Sequence, residues 1–403
     1  MPEVIIRGVS SPEEHEKARS LIFTTFYQDD PDGFHRMHQF LNLIPDFPDD
    51  HTRILLIDNQ IAACLTLFTY TIRLGESRLK MGGIGYVATA PAFRRCGYAA
   101  QLMDDTLRYM AEKKYHVSTL FGIVDFYHRW GYSSVLPEYS IDIAVDEALA
   151  CTAANGRERK IKAGDLSAIQ RIHLKNDTGS AGSIIRFAGH YNSRWDVWKN
   201  ARVLMDDQGK IVAYYLGNVY GNQYRITEAG ILDGLWSGPL LHACARRGKD
   251  SFVSNLLFHL PPAHPLAASF LLYQSDHKTT VFRNRHGMMT VVDLQETLEA
   301  MVADWEYRIG NLFESALCAE VTLLIDKEAY RIRCNRGFID VAKTTGNNKV
   351  SLNRIELIHL LTGYRYPEEI LSTKKHVLPR SALLLLDALF PKRHPYIWTL
   401  DRF

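Results

Sequence analysis

The chain has 403 residues, of which 46% are hydrophobic and 23% charged, and its formal net charge is +2. This is the balance of an ordinary globular protein, and the length predicts two or three domains. The small, scattered charge argues against a nucleic-acid partner, and no apolar run approaches the ~18 residues that a membrane span requires.

The cysteines and the first residues bear on the compartment. All six cysteines are far apart, and none belongs to a CxxC pair. The first residues lack the basic and apolar segments of a secretory signal. We therefore expect reduced thiols, no metal site and a cytoplasmic location.

The first 50 residues predict a strand at 4–7 and a helix that begins after Ser11-Pro12. Residues 27–50 are rich in Asp, Pro, His and Phe and are predicted to form a solvated loop. Its acidic residues offer an alternative role, the attraction of a cationic amine: Asp29, Asp30 and Asp32. His35 and His38 have the spacing of metal ligands but lack a third ligand nearby, so we interpret them as surface histidines.

Residues 54–57 and 61–71 predict a β-hairpin around Asp58-Asn59-Gln60. Residues 80–89 predict the next strand. This strand contains the apolar run IGYVA, which begins the segment IGYVATAPAFRRCGY at 84–98. The run breaks at Pro91, becomes basic at Arg94-Arg95 and leads into an amphipathic helix. A helix N-terminus with free amides and two arginines favours an anion, and Gly97 lets a phosphate approach the backbone. A generic strand–turn–helix would give the same pattern.

The rest of the chain continues as mixed α/β. Residues 117–121 predict a parallel strand, followed by the segment FYHRWGY at 126–132. Residues 202–205 and 211–216 repeat the hairpin, and strands are expected at 224–231, 270–274 and 289–292. From residue 294 the pattern predicts a helix, a hairpin at 320–334, a helix from Ser351 to a stop at Gly363, and an apolar helix at 381–390.

The segment at 84–98 resembles motif A of the GNAT acetyltransferases, Arg/Gln-x-x-Gly-x-Gly/Ala after a strand, and FYHRWGY resembles their FYxxxGY signature. The resemblance implies acetyl-CoA as co-substrate, with Tyr127 as the general acid that protonates the departing thiolate. It also implies a set of acetyl-CoA contacts, from the thioester to the pyrophosphate: Val87, Ala88, Thr89, Arg94, Arg95, Cys96, Gly97, Tyr98, Ala99, Ala100, Gly122 and Ile123.

Over its whole length the chain resembles the Eis family of acetyltransferases. This implies a catalytic GNAT domain at 1–145, a second GNAT-like domain without a cofactor site at 146–291, and a sterol-carrier-protein-like α+β domain at 292–403. It further implies a homohexamer and a terminal α-carboxylate, here that of Phe403, as the general base. The expected reaction is acetyl transfer to primary amines of small cationic acceptors, aminoglycoside-like or polyamine-like, without a metal, nucleic acid or membrane.

Alternatives remain open at this stage. Asp125, His128 and Glu76 are alternative bases. A protein lysine or N-terminal acetyltransferase, or a non-catalytic binder of acetyl-CoA or an apolar ligand, would carry the same motifs. The acceptor, its regiochemistry, the oligomeric state and a ligand of the C-terminal domain do not follow from the residues.

Overall fold

A computed structural model describes residues 3–44, 47–151, 157–187, 189–313, 317–374 and 378–403. These residues form strands β1 (Val4–Gly8), β2 (Thr52–Ile57), β3 (Gln60–Leu74), β4 (Ser77–Thr89), β5 (Val117–Gly122), β6 (Ser133–Leu136), β7 (Glu138–Ala144), β8 (Arg157–Lys160), β9 (Ala181–Ile184), β10 (Arg202–Met205), β11 (Ile211–Tyr220), β12 (Gln223–Ile231), β13 (Asn255–Phe258), β14 (Ser275–Thr280), β15 (His286–Val291), β16 (Cys318–Ile325), β17 (Glu328–Asn335), β18 (Phe338–Ala342) and β19 (Lys349–Ser351).

The same residues form helices α1 (Pro12–Phe26), α2 (Pro31–Leu41), α3 (Tyr98–Glu112), α4 (Val145–Leu149), α5 (Leu166–Asn176), α6 (His190–Ser193), α7 (Trp195–Trp198), α8 (Ser237–Asp250), α9 (Leu294–Ala300), α10 (Val302–Phe313), α11 (Arg354–Thr362), α12 (Pro367–Leu371) and α13 (Arg380–Leu389). Helices and mixed sheets together confirm the predicted α/β class.

The strands form three sheets. The first has the order β1-β2-β3-β4-β5-β15-β6, with β9 on β3; the second has β14-β7-β13-β12-β11-β10-β8, and the third β18-β17-β16-β19. In the first sheet β4 and β5 are parallel and α3 connects them. The second sheet repeats this unit, because β12 and β13 are parallel and α8 connects them.

The first two sheets exchange strands. β7 precedes residue 145 yet pairs with β13 and β14 of the second sheet. β15 precedes residue 292 yet lies between β5 and β6 of the first sheet. Each of these two sheets therefore contains strands from both ranges, 1–145 and 146–291. The two ranges stay predictions as domains.

The first sheet and the C-terminal residues share one apolar core. Buried side chains of β3 and β4, such as Ile72 and Met81, belong to the same cluster as Trp305, Leu323 and Leu385. A second cluster fills the space between the second sheet and α8. The end of the chain contributes to both, because Ile397 lies in the first cluster and Trp398 in the second.

Some local predictions were wrong. Residues 27–50 contain helix α2, which begins after Asp30, whose Oδ1 accepts a hydrogen bond from the Gly33 amide at 2.8 Å. Its buried face, Met37 and Phe40, is what the loop prediction missed. Residues 267–272 form a 3₁₀ helix rather than a strand. The helix expected from Ser351 begins instead after Asn353, whose side chain caps the Glu356 amide.

Candidate functional site

A cleft opens where β4 and β5 separate. Their parallel pairing joins residues 81–84 to residues 117–120 and ends there, although β4 continues to Thr89 and β5 to Gly122. On its other side β4 has a register shift against β3, and Tyr86 has a φ of 52°. Such a bulge bends a strand and turns its backbone groups. The backbone of residues 86–89 therefore borders an opening, the strand cleft, that no neighbouring strand fills on the β5 side.

The loop after β4 presents a run of free amides. Gly97 precedes α3 with a φ of 81°, in the left-handed region that favours glycine. Among the described residues, the backbone amides of 95–99 have no hydrogen-bond acceptor; the first bonded amide of the helix is that of Ala100, to the Gly97 carbonyl at 3.0 Å. The first turn of α3 contains no acidic residue. Free amides at the positive end of a helix dipole form a binding site for an anion.

The corresponding loop of the second sheet differs at this point. After β12, the Asp233 side chain accepts a hydrogen bond from the Leu235 amide at 3.0 Å. A carboxylate thus occupies the position where the first sheet leaves its amides free. The two parallel units consequently differ in their attraction for an anion.

Tyr127 lies beside the end of β5, in the 3₁₀ helix Tyr127–Trp130. Its ring packs on Gly122, where an added Cβ would lie 2.5 Å from the ring carbons. The side chain is 8% exposed, and its hydroxyl makes no hydrogen bond with any described residue. Burial raises the pKa of Tyr127 to about 12, so the phenol is protonated at neutral pH.

The last residue lies at the same opening. The Phe403 ring lies 5.3 Å from the Phe68 ring and 6.0 Å from the Phe121 ring, measured between centroids. A Cβ added at Gly85 would lie 3.4 Å from the Phe403 carbonyl carbon. Gly85 directly follows Ile84, the last residue of β4 that pairs with β5. The chain terminus is therefore at the beginning of the strand cleft. Phe403 and Tyr127 thus contact neighbouring residues of β5, Phe121 and Gly122.

A buried ionic network holds the chain segment that precedes Phe403. The Arg186 guanidinium donates to Asp401 at 2.9 Å and to both oxygens of Glu228, at 2.8 and 2.6 Å. Burial alone would raise the pKa of Glu228, but the Arg186 charge and the hydrogen bonds from His173 and Arg186 outweigh it and lower this pKa to about 2. For Asp401, the Arg186 charge and the hydrogen bonds with His190 and Arg186 outweigh burial in the same way and hold the pKa of this carboxyl well below its usual range.

Beside Phe403 lies a cavity of about 200 Å³, here called the acceptor cavity. Its walls include Phe68 and Tyr86 from the first sheet and Arg36 from α2. Arg194, between α6 and α7, and Phe403 also line the cavity. The cavity thus joins the strand cleft at the chain terminus.

The alternative bases occupy other positions. Glu76 precedes β4, eight residues from Ile84, a distance of ~26 Å along an extended strand. Asp125 accepts a hydrogen bond from the Asn284 side chain at 2.8 Å. His128 is exposed. Of His35 and His38, the first contacts Gln39 at 2.8 Å and the second Arg19 at 3.1 Å.

Some members of the site were not predicted from the sequence. Gly83 and Gly85, which make room for Phe403, stand in the run before motif A, and their spacing alone was the available signal. Arg186 and Arg194 stand in a stretch without a recognisable pattern. Their roles depend on contacts with residues about 200 positions away.

Comparison with known protein families and solved structures bears on the fold of this chain. Residues 6–135 match the family model described as an acetyltransferase (GNAT) domain. Residues 6–135 therefore contain a GNAT domain. The protein is accordingly an acetyltransferase, and the predicted enzyme class is confirmed. No match is found among curated protein sequences.

Solved structures share the GNAT architecture along the whole chain. A conserved protein of Enterococcus faecalis, described as a probable N-acyltransferase, has a TM-score of 0.77 at 18% identity, with 100% of both chains covered. A GCN5-related N-acetyltransferase from Anabaena variabilis has a TM-score of 0.77 at 16% identity, again with 100% of both chains covered. Eis1 from Mycobacterium abscessus has a TM-score of 0.67 at 13% identity, with 100% of both chains covered. At these identities the likeness concerns the fold.

Three further observations concern the described part of the chain. No helix there combines the length and the apolar character that crossing a membrane demands. No group of three or more His, Cys, Asp or Glu side chains there has the geometry to hold a metal ion. All six cysteines are unpaired.

Proposed function

We propose that the protein transfers the acetyl group of acetyl-CoA to the primary amine of a small cationic acceptor. The observation that carries the proposal is the run of free amides at 95–99, which lies directly beyond the open edge of β4. A diphosphate and an extended pantetheine chain need these two features in this order. The GNAT match over residues 6–135 supports the same reading.

The proposal includes the acetyl-CoA contacts. Backbone groups of Val87, Ala88 and Thr89 bind the pantetheine and the thioester. The loop and helix start bind the pyrophosphate through residues 94–100, with exposed Arg94 and Arg95 adding charge. Gly122 and Ile123 border the opposite side; Ile123 is 67% exposed, which a bound ligand would reduce.

The reaction begins with proton loss from the acceptor. An alkylammonium has a pKa near ~10.4, so a base must remove its proton before the nitrogen can attack. We assign that role to the Phe403 α-carboxylate, because the terminus lies at the beginning of the cleft. Its negative charge also attracts the ammonium group.

The amine nitrogen then attacks the thioester carbonyl, a C–N bond forms, and the C–S bond breaks. Tyr127 donates its phenolic proton to the departing thiolate of coenzyme A. Because the pKa of Tyr127 is about 12 and that of a thiol ~8.5, complete transfer is uphill by about 5 kcal/mol. A hydrogen bond to the developing thiolate stabilises the charge before the proton moves.

Other features remain predictions. They are a homohexamer, a cytoplasmic location, and a sterol-carrier-protein-like character of residues 292–403. Sedimentation measures the assembly state, and cell fractionation measures the location.

The test of the function is a thiol-release assay with acetyl-CoA over a panel of primary amines. We expect amine-dependent release of coenzyme A together with the N-acetylated product, identified by mass spectrometry. Acetyl-CoA that binds without any amine-dependent release would contradict the proposal and favour a binding protein.

A further inference from the structure

The charged groups that line the acceptor cavity are three arginines, Asp196 and the chain terminus at Phe403. Arg36 is paired, at 3.6 Å with Asp30 and at 3.7 Å with Asp196. Arg402 is paired with Glu138 at 2.6 Å. Arg194 differs from both, because no side-chain carboxylate of the described residues forms an ion pair with it.

No side-chain carboxylate of the described residues forms an ion pair with Arg194, although the charge of nearby Asp401 partly offsets its own. The guanidinium donates to the backbone carbonyl of Leu400 and lies over the Phe40 ring, with 4.2 Å between Cζ and the ring centroid. Its Nε is buried and has no acceptor among the described residues. Burial lowers the pKa of Arg194 from its ordinary value, although an arginine stays charged at neutral pH. A half-buried guanidinium that forms no ion pair with a side-chain carboxylate gains a partner when an anion binds beside it.

The volume of the cavity limits the size of the acceptor that would carry this anion. A volume of about 200 Å³ corresponds to ~7 water molecules and lies below the ~300–1,000 Å³ of clefts for drug-sized ligands. A multi-ring polycation exceeds this space and carries the wrong charge for Arg194. An acceptor of amino-acid size fits it.

We propose that the acceptor carries an anionic group, a carboxylate or a phosphate, besides its amine, and that Arg194 binds this group. The inference rests on the proposed function and narrows its substrate class. The ammonium group lies at the Phe403 terminus and the anionic group at Arg194, because both residues line one cavity. Planar guanidinium donors match both kinds of oxyanion.

The experiment compares amines that differ only in the anionic group. Lysine is paired with cadaverine and ornithine with putrescine for the carboxylate; phosphoethanolamine is paired with ethanolamine for the phosphate. The wild-type protein is expected to show at least tenfold higher kcat/KM for the anionic member of one kind of pair. The preferred kind identifies the anion as a carboxylate or a phosphate.

Variants connect this preference to the side chain. Arg194→Met is expected to lower kcat/KM for the acceptor with the anionic group by ~10–100-fold and to leave kcat/KM for the counterpart that lacks this group within about threefold. Arg194→Lys keeps the charge without the planar fork and should recover part of the loss. Arg171→Met, at an exposed position of α5, is the matched control and should change neither. The acetyl-CoA affinity of each variant checks its folding.

The outcomes separate the two proposals. Equal kcat/KM for both members of every pair in the wild-type protein overturns the anionic acceptor and leaves the acetyltransferase function intact. An equal loss for both members in Arg194→Met does the same, because Arg194 would then serve the chain terminus. If no amine is acetylated, the proposed function itself fails. Should Arg194→Met not fold, the wild-type ratios alone decide.

Discussion

The Phe403 ring occupies the space that a side chain at position 83 would require. A Cβ added to Gly83 would lie 2.5 Å from Cε2 and Cζ of Phe403, closer than side-chain atoms normally approach. The two residues are 320 positions apart, yet the absence of a side chain on β4 is what allows the terminus to lie at the strand cleft.

Gly83→Ala tests this relationship. The added methyl group must displace the Phe403 ring, and overpacking of this kind costs ~1–3 kcal/mol. Because the terminus moves with the ring, kcat is expected to fall ~100-fold while acetyl-CoA affinity is kept. Gly164→Ala, where an added Cβ has no neighbour within 4 Å, is the matched control. Full activity in Gly83→Ala would show that the position of Phe403 is irrelevant to turnover.

Tyr127→Phe removes the proposed proton donor but keeps the ring on Gly122. We expect kcat to fall by ~10²–10⁴-fold, the range of a general acid, with acetyl-CoA affinity unchanged. Steady-state kinetics and calorimetric titration measure the two quantities. Tyr307→Phe, at an exposed tyrosine of α10, is the control and should keep full activity. Unchanged turnover in Tyr127→Phe would remove this residue from the mechanism.

A peptide added after Phe403 converts its α-carboxylate into an amide. If that carboxylate is the base, kcat is expected to fall by ~10²-fold or more, because an amide does not accept the ammonium proton at neutral pH. The same peptide inserted between Asp207 and Gln208, in the exposed turn between β10 and β11, is the control. An extended chain with wild-type turnover would return attention to side-chain bases.

Asp401→Ala breaks the buried network at its connection to the chain terminus. It leaves Glu228 as the remaining carboxylate partner of the Arg186 guanidinium among the described residues, and removal of one partner of a buried ion pair costs ~3–5 kcal/mol. Urea denaturation measures this loss in the free energy of unfolding. Asp340→Ala breaks an exposed pair with Arg331, in which Asp340 is 62% exposed, and should cost at most ~1 kcal/mol. Similar small losses in both variants would show that the network does not anchor the terminus.

The free energy of unfolding should fall as the pH decreases. Burial lowers the pKa of His190 to about 4, so between pH 6.5 and 4 the unfolded chain binds a proton that the folded chain does not. Glu228, with a pKa of about 2 against 4.5 for a free carboxyl, has the same effect below pH 4.5. Both groups therefore stabilise the fold at neutral pH and lose this contribution in acid. Urea denaturation at pH 7, 5 and 4 measures it; maximal stability near pH 4 would contradict the assignment.

The loop between β4 and α3 shows how far local patterns reach. Pro91, the arginines and Gly97 predict a turn and a helix start, because each acts through its own backbone conformation or charge. The structure has the helix beginning at Tyr98, one residue before the expected Ala99. The hairpin around Asp58-Asn59 is likewise as predicted, with both residues at positive φ.

Residues 27–50 show where local patterns fail. Their polar composition predicts a loop, but packing of Met37 and Phe40 against the rest of the fold stabilises a helix there. Residues 270–274 have strand-like composition, yet Phe270 is buried in a 3₁₀ helix beneath the second sheet. In both segments burial, which depends on distant residues, outweighs local preference.

The sequence by itself predicted the α/β class, the turn and helix start at residues 91–98, and the position of Tyr127 after β5, since these depend on neighbours within a few residues. Only the tertiary structure decided that β7 and β15 change sheets, that Gly83 accommodates Phe403, and that Arg194 lines the acceptor cavity without an ion pair to a side-chain carboxylate of the described residues. Those relationships join residues that are tens to hundreds of positions apart. Their free energy comes from burial and ion pairing in three dimensions, which no stretch of the chain encodes alone.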